Sequence, residues 1–313
     1  MIRPEATMHM LKNSLKALEY RFKIARSWFI SDRRYRLNKF QAKFKRSLNI
    51  ISPCSLNDKI NYRMIYDKNP LYTRLADKWA VREYVSKKIG AAYLVPVFGI
   101  YQQPEEINLA NLPDKFVLKC NHDCGSAIVC EDKTTFDWQQ ARAKMKFSLA
   151  KNMYYASRET HYRDISPLII CETFIETLSR SATVLAPELY RIHCFSSRAK
   201  IIEADFTDAN GKEYVNVYDE NWQLLPLTMG YSNTPDAIAR PTQIRTMLNI
   251  AERLAENIDY CRIDLFLDVN NDLWFSEMTF APCNGLMKIA PVSWDFILGE
   301  MWEMNLPVKN RRC

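Results

Sequence analysis

Three charged residues near the C-terminal end of the sequence, Arg262, Asp264 and Glu277, have types and spacing suited to binding a phosphate and a divalent cation. They lie in two alternating apolar runs that meet at Asn270-Asn271, a dipeptide typical of a two-residue hairpin turn. Such a turn places Asp264 opposite Glu277 and Arg262 opposite Thr279. Because side chains alternate along a strand, these four share one face of the sheet, and the other face carries Ile263, Leu265, Ser276 and Met278. A three-residue turn that included Asp272 would shift this register.

Two carboxylates that face each other across a strand pair repel unless positive charge lies between them. Mg²⁺ is one candidate, since it favours one or two carboxylates together with phosphate oxygens. Arg262, on the same face, could bind a phosphate oxygen of the same ligand through its planar guanidinium. Arg262 alone could instead neutralise both carboxylates on a solvated sheet face, and the hairpin by itself leaves both interpretations open.

A second polar feature is the lysine of F-V-L-K-C-N-H-D-C-G-S, where a strand ends in a short loop with Gly125 and Ser126. Alternation places Lys119 on the face opposite to Leu118 and Cys120. A loop of this kind could close over a triphosphate, with backbone N–H groups and a lysine at the phosphates. A surface hairpin with an extended lysine is the alternative. A zinc site at Cys120, His122 and Cys124 would lack a fourth ligand.

The apolar run at residues 168–176 predicts a buried strand that carries Glu172 and ends at an aromatic residue. The end of such a strand could present backbone groups to the edge of an adenine. A strand that simply leaves the core is an equally good interpretation of this segment alone.

The elements that must position these residues form a mixed pattern. We predict helices near 33–48, 75–88, 136–152 and 241–258, an N-cap at Ser55 or Asn57, and a helix end at Gly90. Predicted strands are 94–101, 116–121, 127–130, 168–175, 189–196, 200–207, 214–218, 261–269 and 273–280. Because strands and helices do not alternate regularly, the predicted fold class is α+β and not a doubly wound sheet or a parallel barrel.

Charge is concentrated at the start of the chain. The net charge of the 313 residues is +7, but residues 1–50 hold 13 Lys/Arg against 3 Asp/Glu, and the rest of the chain is slightly acidic. Apolar residues recur there at helical spacing, namely Leu11, Leu15, Leu18, Phe22, Ala25 and Phe29. Packing of this stripe on the protein's own core is the common arrangement, and an anionic inner-membrane surface or membrane-bound partner is the alternative. No motif that accompanies nucleic-acid binding is present, so no nucleic-acid partner is expected.

The nine cysteines contain no C-x-x-C pair, which favours reduced, buried thiols over a zinc cluster or a disulfide framework. No stretch has the roughly 18 apolar residues of a membrane span, and no signal peptide is recognisable. We therefore expect a cytoplasmic protein.

Together, the lysine strand, the apolar strand with E-T-F-I and the hairpin with R-I-D and E-M-T resemble the ATP-grasp superfamily. Further segments are similar to the TupA-like ATP-grasp family of bacterial surface-polysaccharide gene clusters: L-N-D-K-I (56–60), A-D-K-W-A-V-R-E-Y-V (76–85), Y-R-I-H-C-F (190–195) and S-E-M-T-F-A-P-C-N-G (276–285). The resemblance implies two α+β subdomains that grip ATP, at 113–180 (lid) and 181–313 (catalytic). A small N-terminal domain at 51–112 and the basic helical arm at 1–50 would precede them.

The resemblance also implies roles for single residues. Lys119 and Lys78 would contact the nucleotide phosphates, and Glu172 with Ile175 the adenine edge. Arg191, where the family usually has lysine, and Arg262 would bind phosphate, with Lys119, Arg191 and Arg262 acting in the reaction. The implied magnesium ligands are Asp264, Glu277 and, where many relatives have asparagine, Thr279.

The implied reaction joins a carboxylate to an amine through an acylphosphate, with ATP and Mg²⁺ as cofactors. The expected substrates are an amino acid or other amine and a uronic acid or glutamyl group on a polysaccharide precursor. A glycosyltransferase that holds Mn²⁺ and a nucleotide sugar at Asp264 and Glu277 is the alternative enzyme, and a nucleotide-free scaffold protein is the alternative outside catalysis. His193 and Arg240 are candidates for an anionic acceptor, although a packed histidine and a surface arginine are the commoner outcomes.

Overall fold

The computed structural model describes residues 18–181, 186–208, 210–235 and 238–304. Its helices are α1 (residues 18–29), α2 (Asp32–Phe44), α3 (Leu56–Tyr66), α4 (Pro70–Ala76), α5 (Val81–Ile89), α6 (Trp138–Leu149), α7 (Met153–Ser157), α8 (Leu178–Ser181), α9 (Ile244–Leu254) and α10 (Ser293–Glu300). Its strands are β1 (Val97–Tyr101), β2 (Phe116–Cys120), β3 (Ile128–Cys130), β4 (Ile169–Thr173), β5 (Leu189–Phe195), β6 (Arg198–Thr207), β7 (Glu213–Asp219), β8 (Thr228–Met229), β9 (Tyr260–Leu267), β10 (Leu273–Thr279) and β11 (Ile289–Ala290).

The strands form two main antiparallel sheets. The first has four strands in the order β1-β4-β2-β3, and the second has five in the order β10-β9-β5-β6-β7. A two-stranded sheet pairs β11 with β8. The predicted α+β class is therefore confirmed. The strands predicted from alternation are all present, with ends that differ by a few residues.

Helix boundaries follow local hydrogen bonding. Ser55 caps α3, because its side chain accepts the backbone N–H of Asp58, and Gly90 ends α5 at a φ of 105°. The single helix predicted at 75–88 was wrong. Asp77 interrupts it, since its carboxylate accepts the backbone N–H groups of Trp79 and Ala80 and starts a new helical segment.

The five-stranded sheet has two different faces. One packs on α5 and α9 through a large apolar cluster that includes Ile263, Leu265, Phe275 and Met278. The other face is covered at one end by α3 and α10, around Tyr260 and Trp302. The remainder of that second face carries the polar residues of the candidate site.

The basic arm differs from its commoner interpretation. Leu18, Phe22 and Phe29 are 65%, 67% and 83% exposed, so this part of the stripe does not pack on the protein's own core. Ala25 of the same stripe is half-buried. Leu11 and Leu15 lie outside the described residues. The opposite face of α1 makes the contacts: the Tyr20 hydroxyl accepts the backbone N–H of Asn152 at 2.7 Å.

Two further expectations concern membrane-spanning helices and the cysteines. Among the described residues, no helix combines the length and apolarity that crossing a bilayer requires. Seven cysteines in the same residues are free thiols, as expected, and five of them are buried. The expectation of reduced, buried thiols was wrong for three cysteines, because Cys124 and Cys283 are exposed and Cys54 is disulfide-bonded.

Candidate nucleotide and metal site

The β9–β10 hairpin places Asp264 opposite Glu277 and Arg262 opposite Thr279, as the sequence predicts. The predicted turn is nevertheless wrong. Asp268 and Asp272 close a longer loop in which Asn271 has a φ of 65°, and Leu265 pairs with Phe275 instead of Ser276. A bulge between Phe275 and Glu277 then inserts one extra residue and restores the predicted partners at the site.

Arg262 connects the polar side chains of this hairpin. Its guanidinium donates to both carboxylate oxygens of Asp264, at 2.7 and 2.6 Å, and to the Thr279 hydroxyl at 3.3 Å. It lies 3.9 Å from the Glu277 carboxylate, which also accepts the Thr279 hydroxyl at 3.3 Å. The arginine thus supplies positive charge between the two carboxylates, which is one of the two arrangements the sequence left open.

Burial and neighbouring charges set the ionisation of this cluster. Burial raises the pKa of Asp264, which is 1% exposed, and the Arg262 guanidinium only partly opposes this. Burial also acts on Glu277, but Lys78 and Arg262 outweigh it and hold the pKa of Glu277 below its usual range. Burial opposes the charge of Arg262, yet Asp264 raises the pKa of the guanidinium further above its ordinary value. Glu277 is therefore an ionised carboxylate available to a cation.

Lys78, from the turn between α4 and α5, joins the hairpin to the first sheet. Its ammonium lies 3.3 Å from Glu277 Oε2 and donates to the backbone carbonyl of Asp123 at 2.7 Å. The backbone N–H of Lys78 also bonds to the carbonyl of Asn121. The Lys78 side chain therefore contacts both the loop after β2 and the Glu277 carboxylate of β10.

Lys119 and Glu172 lie on adjacent strands of the first sheet and form an ion pair of 2.6 Å. Alternation along β2 is as predicted, with Phe116, Leu118 and Cys120 buried and Lys119 on the other face. Arg82 of α5 adds a second cation 3.5 Å from Glu172. No role for Arg82 is predicted from the sequence, because a single arginine on a polar helix gives no signal until the fold places it beside Glu172.

The loop between β2 and β3 is held by its own side chains. Gly125 has a φ of 85°, and a Cβ there would meet no atom within 4 Å. The buried Ser126 hydroxyl accepts the backbone N–H of Cys120 at 2.9 Å and donates to Asp123. The Ser126 hydroxyl is therefore already engaged within the loop.

Zinc ligation by the same loop has no support. His122 is 1% exposed, and its ring nitrogens lie within 3.3 Å of Asn121 Oδ1 and within 3.2 and 3.0 Å of the carbonyls of Ser148 and Lys151. Burial raises the pKa of Cys120 to about 12, which disfavours a thiolate ligand. No group of three or more metal-ligating side chains occurs among the described residues.

Ile175 lies where the chain crosses from the first sheet to the second. The carbonyl of Glu176 accepts the backbone N–H of Val269, and Thr177 bridges Asp268. Ile175 itself is half-buried. The segment after β4 therefore connects the strand of Glu172 with the hairpin of Asp264 and Glu277.

A polar row crosses four strands of the second sheet. Glu277 on β10 faces Asp264 on β9, which faces Arg191 on β5, which faces Glu203 on β6. Arg191 is ion-paired with Asp205. Glu203 and Asp205 were not predicted as site residues, although two carboxylates inside the apolar run I-I-E-A-D-F are a signal of a functional face.

His193 is a packed histidine. It is 1% exposed, with its ring nitrogens 2.9 Å from the Tyr260 hydroxyl and 2.6 Å from Glu203. Arg240 is an exposed surface residue. The geometry gives neither of them a place against a substrate.

The donor set fits a magnesium–nucleotide complex. Mg²⁺ is usually bound by one or two carboxylates, with phosphate oxygens and water completing six ligands. Asp264 and Glu277 would supply the carboxylates, and the nearby cations Lys78 and Arg262 suit an anionic ligand.

The TupA-like ATP-grasp family matches residues 58–303. The chain belongs to the TupA-like ATP-grasp family. No curated protein sequence matches it.

Among solved structures, an L-amino acid ligase from Bacillus licheniformis is similar over 80% of this chain and 55% of its own, with 12% identity and a TM-score of 0.44. A D-cycloserine synthetase is similar over 74% of this chain and 71% of its own, with 12% identity and a TM-score of 0.41. An ADP complex of N5-carboxyaminoimidazole synthetase from Staphylococcus aureus has 15% identity and a TM-score of 0.36, over 74% of this chain and 52% of its own. This TupA-like ATP-grasp chain spans about half the length of several solved structures that it matches.

Proposed function

We propose that this protein is an ATP- and Mg²⁺-dependent carboxylate–amine ligase. The observation that carries the proposal is the position of Lys78, whose ammonium contacts both the loop after β2 and the Glu277 carboxylate. A nucleotide held between that loop and the hairpin would meet Lys119, Lys78 and Arg262 with its phosphates, and Asp264 and Glu277 through a magnesium ion.

The proposed division of labour follows the positions of the side chains. The proposed phosphate ligands are the ammonium groups of Lys119 and Lys78 and the backbone N–H groups of Gly125 and Ser126. Glu172 and Ile175 lie along the strand that leads to the hairpin and would receive the adenine edge. Arg191, across β9 from Asp264, is close enough to the carboxylates to act on the transferred phosphoryl group. Thr279 would contribute to the metal site through its hydroxyl.

The proposed reaction has two steps. A carboxylate oxygen of the acceptor attacks the γ-phosphorus, the bond to the β,γ-bridging oxygen breaks, and ADP leaves. The amine nitrogen then attacks the acyl carbon, phosphate departs with the electrons of the acyl–oxygen bond, and the nitrogen loses a proton. When bound, Mg²⁺ supplies positive charge for the phosphates, while Arg262 and Lys119 hold them in position.

The proposed substrates are an amino acid or other amine and a uronic acid or glutamyl group of a surface-polysaccharide precursor. This choice is supported by the match to the TupA-like family. We place the reaction in the cytoplasm, where ATP is available, and near the inner face of the membrane when the precursor is lipid-linked. The proposed division into arm, N-terminal domain, lid and catalytic subdomain accompanies this function.

ADP release by the purified full chain tests the proposal. The reaction contains ATP, Mg²⁺, a panel of amino acids and uronic-acid or glutamyl acceptors. Glu277→Gln is the inactive variant, and Glu220→Gln, on a partly exposed residue, is the control of equal charge change. ADP that requires both substrates and disappears only in Glu277→Gln supports a ligase. Consumption of a UDP-sugar without ATP would instead assign a glycosyltransferase and overturn the proposal.

A further inference from the structure

The outer face of α1 presents large apolar side chains to solvent. Leu18, Phe22 and Phe29 follow one another at steps of four and seven residues, which places them on one side of the helix, and Trp28 next to Phe29 is 76% exposed. The same spacing continues in the sequence at Leu11 and Leu15. A single exposed aromatic residue on a surface is ordinary, but four large apolar side chains on one short helix indicate an interaction surface.

The opposite side of the arm is attached to the body of the protein, which fixes the direction in which the apolar side points. Tyr20 hydrogen-bonds to Asn152 and packs edge-on against Tyr155, with ring centroids 6.4 Å apart. The following helix α2 continues the attachment, because Asp32 accepts the Tyr154 hydroxyl at 2.7 Å and pairs with Arg158 at 2.8 Å.

The attachment extends to the turn that follows β10, the strand that carries Glu277. Arg36 of α2 is 1% exposed, and its Nε donates to Asn61 Oδ1 at 2.7 Å. The same guanidinium donates to the backbone carbonyl of Asn284, in the 3₁₀ turn Pro282–Gly285 that follows β10. A surface that binds the outer side of the arm would therefore hold the site at a defined orientation.

The arm is also strongly basic. Residues 18–50 contain ten Lys/Arg and two Asp/Glu, a net charge of +8. Exposed basic residues on α1 and α2 are Arg21, Arg33, Arg34, Lys39 and Lys43. Leucine and aromatic side chains combined with exposed Lys and Arg are the composition of helices that lie in the interface of a bilayer. Each basic residue near an anionic leaflet adds to the attraction.

We propose that the outer face of α1, defined by Leu18, Phe22, Trp28 and Phe29, docks on an anionic lipid bilayer, with the exposed arginines and lysines of α1 and α2 contacting the headgroups. The complementary charge selects this partner over a second copy of the chain, whose arm carries the same positive charge and would repel it. The docking does not require ligase activity, so it stands or falls separately from the proposed function.

Co-sedimentation of the full chain with vesicles tests this surface. We expect binding to vesicles of phosphatidylcholine with about 30% phosphatidylglycerol, which supplies an anionic surface. Binding to pure phosphatidylcholine should be weaker by about ten-fold or more, because that bilayer carries no net charge. Binding in 0.5 M salt should be weaker by a similar factor, since the Debye length falls to about 4 to 5 Å and the charges are screened. Phe22→Ala/Phe29→Ala and, separately, Arg33→Gln/Arg34→Gln should each weaken partitioning by about ten-fold.

Matched variants elsewhere on the surface provide the controls. Leu224→Ala removes a side chain that is 54% exposed on another part of the molecule, and Lys87→Gln/Arg198→Gln removes two exposed basic charges. These controls should bind like the unaltered protein, and thermal unfolding should show that every variant is folded. Absence of binding to anionic vesicles, or equal binding by Phe22→Ala/Phe29→Ala, would overturn the proposal. A dimer in analytical ultracentrifugation that is lost in Phe22→Ala/Phe29→Ala, without vesicle binding, would assign the face to a second copy and also overturn it.

Discussion

Lys78 and Glu277 lie far apart in the sequence but form an ion pair of 3.3 Å at the centre of the candidate site. Burial works against the charge of Lys78, yet the Glu277 carboxylate outweighs it and raises the pKa of the ammonium. Both groups are therefore charged at neutral pH, and neither is neutralised by proton transfer. A magnesium–nucleotide complex would therefore bind at a site in which the Lys78 ammonium already balances the charge of the Glu277 carboxylate.

Replacing Glu277 by glutamine should abolish most of the metal-dependent reaction. Removing one carboxylate from a magnesium site costs on the order of 3 kcal/mol of transition-state stabilisation, or roughly a hundred-fold in rate. A magnesium titration of ADP formation should show a higher metal requirement as well as a lower maximum. Thr279→Ala, which removes only the hydroxyl, should change either quantity by less than about ten-fold. A Glu277→Gln protein with an unchanged metal requirement would argue against this metal site.

Replacing Lys119 by methionine should weaken ATP binding. The variant keeps the length of the side chain but removes the ammonium that lies 2.6 Å from Glu172. We expect the Kd for ATP, measured by calorimetry, to rise by about ten-fold or more, because a charge-assisted hydrogen bond contributes roughly 1.5 to 3 kcal/mol. Lys87→Met, at an exposed position of α5, is the matched control and should leave the Kd unchanged. Equal affinities for the two variants would contradict a nucleotide role for Lys119.

The substitution Arg262→Lys separates charge from geometry. Lysine keeps the positive charge but cannot make the two parallel hydrogen bonds to Asp264. Since a lost donor at a developing phosphoryl charge costs on the order of 10²- to 10³-fold, kcat for ADP release should fall by that factor. Arg198→Lys, on an exposed arginine, should have no effect. A kcat within a few-fold of the original in Arg262→Lys would show that the fork geometry is not needed.

A methyl group at Gly285 should destabilise the turn behind the site. A Cβ there would lie 2.5 Å from Asn61 Nδ2, and the residue has a φ of 57°. Strain together with displacement of the buried Asn61 predicts a loss of about 2 to 4 kcal/mol in the free energy of unfolding of Gly285→Ala, measured in urea. Gly230→Ala has the same kind of φ, 81°, but open space around the added methyl, so it should cost only about 1 to 2 kcal/mol. Equal losses in the two variants would show that the contact with Asn61 is unimportant.

Asp205 predicts a pH dependence of stability. Burial raises its pKa from 3.8 to about 7, with the Arg191 guanidinium opposing. Between these two values the folded protein keeps the proton that the unfolded chain has released, so this group makes the free energy of unfolding fall as pH rises from about 4 to about 7. Urea unfolding at intervals over this range should show a shallower decline in Asp205→Asn. Glu220→Gln, on a partly exposed residue, is the control. Parallel curves for Asp205→Asn and the unaltered protein would refute the prediction.

Much of the fold and part of the site follow from sequence. Alternation along β2 and β9 predicts which side of each strand carries Lys119, Arg262 and Asp264, because the side-chain period of a strand is two in any context. The pairing of Asp264 with Glu277 was predicted correctly although the predicted turn was wrong. The bulge between Phe275 and Glu277 offsets the register shift that the longer loop causes. Arg82, Glu203 and Asp205 were missed, since a charged residue acquires its partners only when distant strands and helices come together.

Sequence by itself determined the family, the strand that carries each candidate ligand and the face on which each ligand lies, since all of these depend on local order and periodicity. Only the tertiary structure decided that Lys78 reaches Glu277, that Arg262 already binds Asp264, and that the apolar side of α1 faces solvent while Tyr20 faces the protein. Such contacts depend on how separate elements pack against one another. An amphipathic helix has the same pattern whether its apolar side meets a core or is left exposed.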